Sequence, residues 1–283
     1  MFPTPIEKTS PLTQSTYKIA VPVVLILWLV PIFAVTLTSA RHLDDILKGN
    51  YWGWPTEIML LENFSAVFTT SPMWSYLWNT VLITIPTVIG VLITSSLAGF
   101  ALAKYRFRGN IAMFSIFIGG NFVPFQILMI PVRELTIQTG LFNTLTGLVI
   151  FHIAFQTGFC TLFLRNFIKT LPDSLMESAR IDGASEFRIF LQIIVPLVRP
   201  AMATLAVLEF TFIWNDYFWA LVLVQSDSVR PVTAGLNALR GQWITSWNLI
   251  SAGSIVAALP PVIMFFLMQK HFIAGLTLGA NKE

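Results

Sequence analysis

Long apolar blocks separated by short polar stretches recur along the chain, and their lengths predict helices that cross a membrane. Residues 19–38 carry no charge and suffice to span a hydrocarbon core about 30 Å thick. A cleaved signal peptide is the competing reading, since Ser39-Ala40 supplies small residues, but the apolar run exceeds the usual length of a signal's core. Further blocks lie at 77–103, interrupted by Pro86, and at 111–130, which holds Gly119, Gly120, Asn121, Pro124 and Gln126. Those breakers predict a third span that is kinked or broken and faces protein or water rather than lipid. The remaining blocks cover 141–164, 201–224 and 250–268, the last bent at Pro260-Pro261. The expectation is an all-α integral membrane protein with six transmembrane helices.

One polar stretch, 165–200, has a helical pattern of its own. Ser174 and Glu177 have the spacing of a capping box, with Asp173 as a second possible cap, so a short helix should start after Pro172. Gly183 should end it in a turn at positive φ. Phe187, Phe190, Ile194 and Leu197 then continue at helical spacing as an apolar stripe. Between the first two spans, residues 39–76 form a long loop rich in aromatic and acidic residues (Tyr51, Trp52, Trp54, Asp44, Asp45, Glu57, Glu62), where the tryptophans suit a membrane interface.

Composition agrees with the pattern. Only 11% of the 283 residues are charged, against about 25% in an ordinary soluble domain. A net charge of +3 spread thinly along the chain excludes a nucleic-acid surface, and one cysteine, Cys160, excludes an internal disulfide and a multi-cysteine metal site. With the N-terminus inside, twelve of the seventeen Lys and Arg residues fall on the cytoplasmic side and five opposite. The positive-inside rule therefore favours an N-in, C-in arrangement, with 165–200 in the cytoplasm.

An acid inside a membrane span costs about 2.5–3.5 kcal/mol to insert, so Glu209 and Asp216 in the fifth span are candidates for function. They are seven residues apart and should share a helical face. Trp214 and Asn215 beside them suit a sugar, rings stacking on C–H faces and amides meeting hydroxyls. The simpler reading is an interhelical polar clamp. His152 and Gln156 lie at four-residue steps with Cys160, and Asn121 and Gln126 sit at the expected break. All four are candidates for a solute pathway, although packing against another span is the favoured reading of each. No P-loop, His-Glu-x-x-His or Gly-x-Ser-x-Gly occurs, so an enzyme reading has no nucleophile or metal site to rest on.

The polar stretch resembles the EAA loop of ABC importer permeases. Glu177, Ala179, Asp182, Gly183, Ala184, Ile193, Pro196 and Pro200 fall at matching positions, while Ser178 and Val195 depart from the pattern by small or apolar exchanges. Further stretches resemble the carbohydrate-uptake branch, the maltose and glycerol-3-phosphate kind. They are Asn79-Thr80, the Lys104-Tyr-Arg-Phe-Arg-Gly109 end of span two, the run through Asn143-Thr144, Leu171-Pro172, Trp214-Asn215 and the 275–279 tail. The resemblance implies a type I ABC importer permease of MetI-like fold in the bacterial inner membrane, with one helix and a loop over 1–72, a five-helix permease domain over 73–270 and a cytoplasmic tail over 271–283. It implies a second, non-identical permease subunit, a pair of ATP-binding subunits that carry the ATP and Mg, an extracytoplasmic solute-binding protein and a sugar-like solute. No cofactor is expected on this chain. By the same resemblance the 165–200 loop couples to the ATPase: Glu177 meets a basic group, Gly183 allows the turn, and Phe187, Phe190 and Ile194 fill its groove. A permease for another solute, and an ion-coupled secondary transporter, remain open as alternatives.

Overall fold

The structure is a computed structural model that describes residues 10–240 and 245–278. Lys8 and the rest of the 1–9 segment, and the 279–283 end of the tail, lie outside the described residues. The chain forms α1 Pro11–Ser39, α2 Leu43–Leu47, α3 Leu60–Thr69, α4 Met73–Lys104, α5 Asn110–Asn121, α6 Met129–Gln138, α7 Leu145–Lys169, α8 Ser174–Ile181, α9 Glu186–Ile189, α10 Val195–Trp214, α11 Phe218–Leu223, α12 Val232–Gly235 and α13 Trp247–Leu278. Among the described residues there is no strand. Five helical runs are long and apolar enough to span a membrane, or six if one sharply bent pair counts as a single span.

That pair is the third predicted span. α5 and the segment after it, Phe125–Gln138, meet at 92° across residues 122–124, where Pro124 cannot continue the helix. The break is as the glycines, Asn121 and Pro124 predicted, but α5 buries no residue within this chain. The fifth span differs more. It is predicted to begin at residue 201, yet a continuous helix runs from Glu186 to Trp214 through α9, a π-helical turn Phe190–Ile194 and α10. The widened turn lies just ahead of Pro196, whose ring would collide with the carbonyl four residues earlier in a regular helix. The same span stops at Trp214, and after a three-residue break α11 carries the chain onward. The sixth helix outruns its predicted end, continuing to Leu278.

The chain divides into two compact units. The first holds α1 to α3 with residues 236–256. In it Asn63 donates from Nδ2 to the carbonyls of Ser39 (2.9 Å) and Arg41 (2.8 Å), and Asn248 donates to Asn63 Oδ1 at 2.9 Å. Arg41 is fully buried and donates to the carbonyls of Tyr51 and Gly53, while Asp45 accepts from Thr56 N–H at 2.9 Å. The long aromatic loop is thus pinned to its flanks by polar contacts.

The second unit holds residues 72–235 with 257–278 and is built on α4 against α7. Small residues let these helices approach closely: a side chain at Gly99 would meet the backbone of Arg165 at 3.1 Å, and Thr94 and Thr157 hydroxyls bond across the pair at 2.8 Å. Val91, Phe100, Cys160, Leu164, Ile168, Ile194, Val198 and Leu205 form one apolar core between α4, α7 and α10.

Candidate functional site

Two regions carry the predicted site residues, and the 165–200 segment is the first. Lys104, at the end of α4 with its side chain only 4% exposed, reaches the segment's entry and donates to Leu171 O (2.5 Å) and to the Asp173 carboxylate (2.7 Å). This holds the Asp173 carboxyl below its usual range, through the hydrogen bond first and the charge second. With Asp173 so engaged, no side chain caps α8, and the predicted Ser174–Glu177 box does not form. The helix ends as Gly183 predicted, at φ +78°. Ala184 N–H bonds to Ala179 O (2.9 Å) and Gly183 N–H to Arg180 O (3.0 Å), the paired bonds of a Schellman stop. Ser185, not foreseen as a cap, then accepts from Arg188 N–H to start α9.

The two short helices are tied by charge. Arg180 Nε sits 2.7 Å from Glu186 Oε1, and the Tyr105 hydroxyl donates to the same carboxylate. Burial, with Glu186 adding to it, pushes the Tyr105 phenol up to about 12, and the Glu186 hydrogen bond raises Arg180 above its ordinary value. Lys104, Tyr105 and Arg180 were missed as structural keys in the sequence, and Asp173 was expected as a cap rather than as the partner of Lys104. Their signal there is the cluster of positive charges directly after span two.

Burial sorts the predicted coupling residues onto two faces. Met176, Ala179, Ile189, Phe190 and Ile194 belong to the α4–α7–α10 core, Phe190 packing 5.5 Å from the Phe100 ring. Phe190 and Ile194 therefore fill this chain's own interior, which corrects their expected use as plugs for a partner's groove. Ala184 and Pro196 are half-buried beside them. The outward face carries Glu177, Asp182 and Phe187, the last 65% exposed, together with Leu175 and the 86% exposed Ile181.

The second region surrounds the break after α10. Trp214 was expected to offer its ring to a solute. Instead it is 3% exposed, donates from Nε1 to Ala257 O at 2.9 Å and stacks on Phe210, so it is a core residue. Beyond it a cavity of about 430 Å³ is lined by Phe155, Thr211, Asn215, Asp216, Tyr217 and Trp219 among others. Asn215 is exposed, with Nδ2 donating to Thr211 O. Asp216 accepts from the backbone N–H groups of Trp219 (3.2 Å) and Ala220 (3.1 Å), capping α11, and lies 3.5 Å from His152 Nε2. Tyr217, just downstream and exposed, supplies the aromatic surface expected of Trp214, whereas Trp219 is as buried as Trp214 and backs the cavity wall.

Glu209 lies apart from this cavity. It is buried against α7, where the Cys160 thiol donates to Oε1 at 3.0 Å. His152, Gln156 and Cys160 are all buried on the α7 face that the four-residue steps predicted. Among the described residues Glu209 Oε2, Gln156 Nε2 and His152 Nδ1 find no hydrogen-bond partner. Asn121 and Gln126 are not brought here. Both are exposed at the α5 bend, where Asn121 bonds its own helix at Phe117 O (2.7 Å).

Comparison with known proteins accounts for this architecture. The arabinooligosaccharides transport system permease AraQ of Halalkalibacterium halodurans is 33% identical over 98% of this chain and 99% of its own. A probable ABC transporter permease of Pyrococcus horikoshii is 34% identical over 89% and 91%, and the melibiose/raffinose/stachyose import permease MelC of Bacillus subtilis 32% identical over 89% and 91%. In fold, the chain matches a subunit of a bacterial ABC transporter involved in import of the acidic polysaccharide alginate, with a TM-score of 0.80 at 23% identity over 93% of this chain and 99% of that one. The family model for the inner membrane component of binding-protein-dependent transport systems matches residues 12–277, and to that family of membrane-embedded transport subunits this chain belongs.

Proposed function

We propose that the chain is one of two non-identical permease subunits of an ABC importer, and that it passes a sugar or sugar derivative into the cytoplasm. The observation that carries the sugar reading is the cavity at the α10–α11 break. It sets the rings of Phe155 and Tyr217 beside an amide and a carboxylate (Asn215, Asp216), the combination that recognises hydroxylated rings. Relatives named for arabinooligosaccharides and for melibiose, raffinose and stachyose support the same class. In this reading ATP and Mg bind a separate pair of subunits, and an extracytoplasmic binding protein delivers the solute. The 165–200 segment lies in the cytoplasm with both termini, and the five-helix block begins near residue 73.

The outward face of α8 and α9 supports the coupling role. Exposed Leu175, Ile181 and Phe187 around Glu177 form a small apolar surface with a charge at its edge, while the opposite face is locked into the core of three spans. A push on α8 is thereby delivered to α4, α7 and α10 together.

The test is reconstitution in proteoliposomes with the second permease, ATPase and binding protein that co-purify with it. ATP-dependent, vanadate-sensitive uptake of a sugar or sugar derivative is the expected result. Uptake confined to a non-sugar solute, or driven by an ion gradient with no ATPase, would overturn the reading.

A further inference from the structure

Three of the candidate residues form a ladder whose spacing has a mechanical meaning. On α7, His152, Gln156 and Cys160 stand at four-residue steps, about 6 Å apart along the axis. Against them, Asp216 pairs with the outer rung, His152, at 3.5 Å, and Glu209 with the inner rung, Cys160, at 3.0 Å. These two pairings make α10 antiparallel to α7 and leave the middle rung, Gln156, with its Nε2 donor buried and unpartnered. Glu209 in turn keeps one acceptor, Oε2, equally buried and unpartnered. A donor and an acceptor of complementary kind are thus held unsatisfied one helical turn apart, an arrangement that destabilises a static bundle.

We propose that Gln156 is a positioning residue for translocation. When α10 slides by one turn along α7, Glu209 leaves the Cys160 thiol and takes the Gln156 amide. One-turn ratchets of about 5.4 Å are an established form of interhelical switching, because side-chain packing is bistable rather than continuously deformable. The ladder also sets the direction. The next positions beyond Cys160 at the same step are Leu164 and Ile168, both fully buried and apolar, so a slide that way would strand the Glu209 carboxyl. The opposite slide, toward the Leu145 end of α7, delivers Glu209 to Gln156 and draws Asp216 off His152. On that side the next position past His152 is Leu148, also buried and apolar, so Asp216 must be met by water from the cavity that it lines. The same movement shifts Asn215 and Tyr217, which line that cavity with it, and so changes the proposed solute site when the rung changes.

This inference rests on the importer reading above, and the experiment separates the two. The assembled complex is reconstituted with the wild-type chain, with Gln156→Leu and with Gln156→Met. If Gln156 only packs, an apolar replacement removes an unsatisfied donor and leaves uptake unchanged. If it is the second rung, loss of one buried hydrogen bond in the shifted state lowers uptake about tenfold, with the melting temperature held or raised. The second readout is the infrared S–H stretching band of Cys160, the chain's single thiol, assigned by its loss in Cys160→Ser. It should move from the bonded toward the free position when the complex is trapped with ATP and vanadate. Wild-type uptake with unchanged Gln156→Leu and Gln156→Met uptake overturns the ratchet and leaves the importer standing. So does an S–H band that does not move on trapping, or an uptake loss that merely follows a fallen melting temperature. A wild-type complex that transports no sugar refutes the importer reading instead, and the S–H band under trapping still decides whether the rung changes.

Discussion

Asn143 holds Ser226 from both sides: its Oδ1 accepts from the Ser226 N–H at 2.9 Å and its Nδ2 donates to Ser226 Oγ at 2.7 Å. The same Oδ1 accepts from Gln225 N–H, and the Asn143 backbone N–H donates to Leu223 O. The residue sits at φ +57°, a conformation that asparagine tolerates better than other side chains. One residue ahead of α7's cap therefore fixes the end of α11, and with it one wall of the aromatic cavity. Asn143→Ala should lower stability by about 2–4 kcal/mol, and Asn143→Gly, which keeps the dihedral but not the side chain, by about 1 kcal/mol less. Detergent unfolding followed by tryptophan fluorescence measures both, and equal losses would remove the dihedral from the explanation.

Gly183 stands at φ +78° with open space where a side chain would project. Backbone conformation, not crowding, therefore decides what it tolerates. Gly183→Asn should retain most uptake, whereas Gly183→Val should add about 1–2 kcal/mol of strain and uncouple ATP hydrolysis from transport. Parallel assays of ATPase rate and uptake check this. Equal behaviour of the two variants would mean the positive φ is unimportant.

Tyr105 should ionise well above the range of a free phenol. Its folded value near 12 lies above the free phenol's value of about 10. The stability it contributes is complete below the free value and is lost as pH rises through about 12. An ultraviolet titration of the protein minus that of Tyr105→Phe should show the difference only in that upper range, and ionisation near 10 would contradict the buried contact with Glu186.

The Asp173 carboxyl runs the other way. Held low by Lys104, it supports the fold above the free carboxylate range, and that support disappears as pH falls through the depressed value. Lys104→Met should abolish this acid-side dependence of α8 and raise hydrogen exchange across 171–177. An unchanged exchange profile would show that the buried lysine does not anchor the segment.

Glu177 is exposed on the outward face and touches α8 only as a first-turn acid, a contribution small beside the buried contacts of Met176 and Ala179. Glu177→Lys should leave insertion and melting unchanged while weakening recovery of the ATPase subunit with the permease. Undiminished recovery would take Glu177 out of the interface.

The sequence was most legible where periodicity and special backbone residues act locally. Gly183 announced its turn, Pro124 its break and the four-residue steps of His152, Gln156 and Cys160 their common buried face. It was less legible where a local rule competes with a distant partner. Asp173 has the chemistry of a cap, but Lys104, sixty-nine residues away, takes its carboxylate, so it caps no N–H of α8. Trp214 and Glu209 have the chemistry of a solute site, yet a carbonyl on α13 and a thiol on α7 claim them. Phe187 and Phe190 lie on one stripe in the sequence, yet Phe190 joins the core beside Phe100 while Phe187 stays in the open.

The π-helical turn at Phe190–Ile194 has a consequence for the phase of everything upstream. It stores one residue more than a regular helix needs, and a helix advances about 100° per residue. Removing a single codon inside this stretch would let the turn close with one residue fewer and return the rod to ordinary pitch, while Phe187 and Trp214 kept their bearing to one another. The same deletion a few residues downstream, where the helix is regular and no spare residue is stored, would swing Phe187 by roughly a quarter revolution and turn the outward face away from its partner.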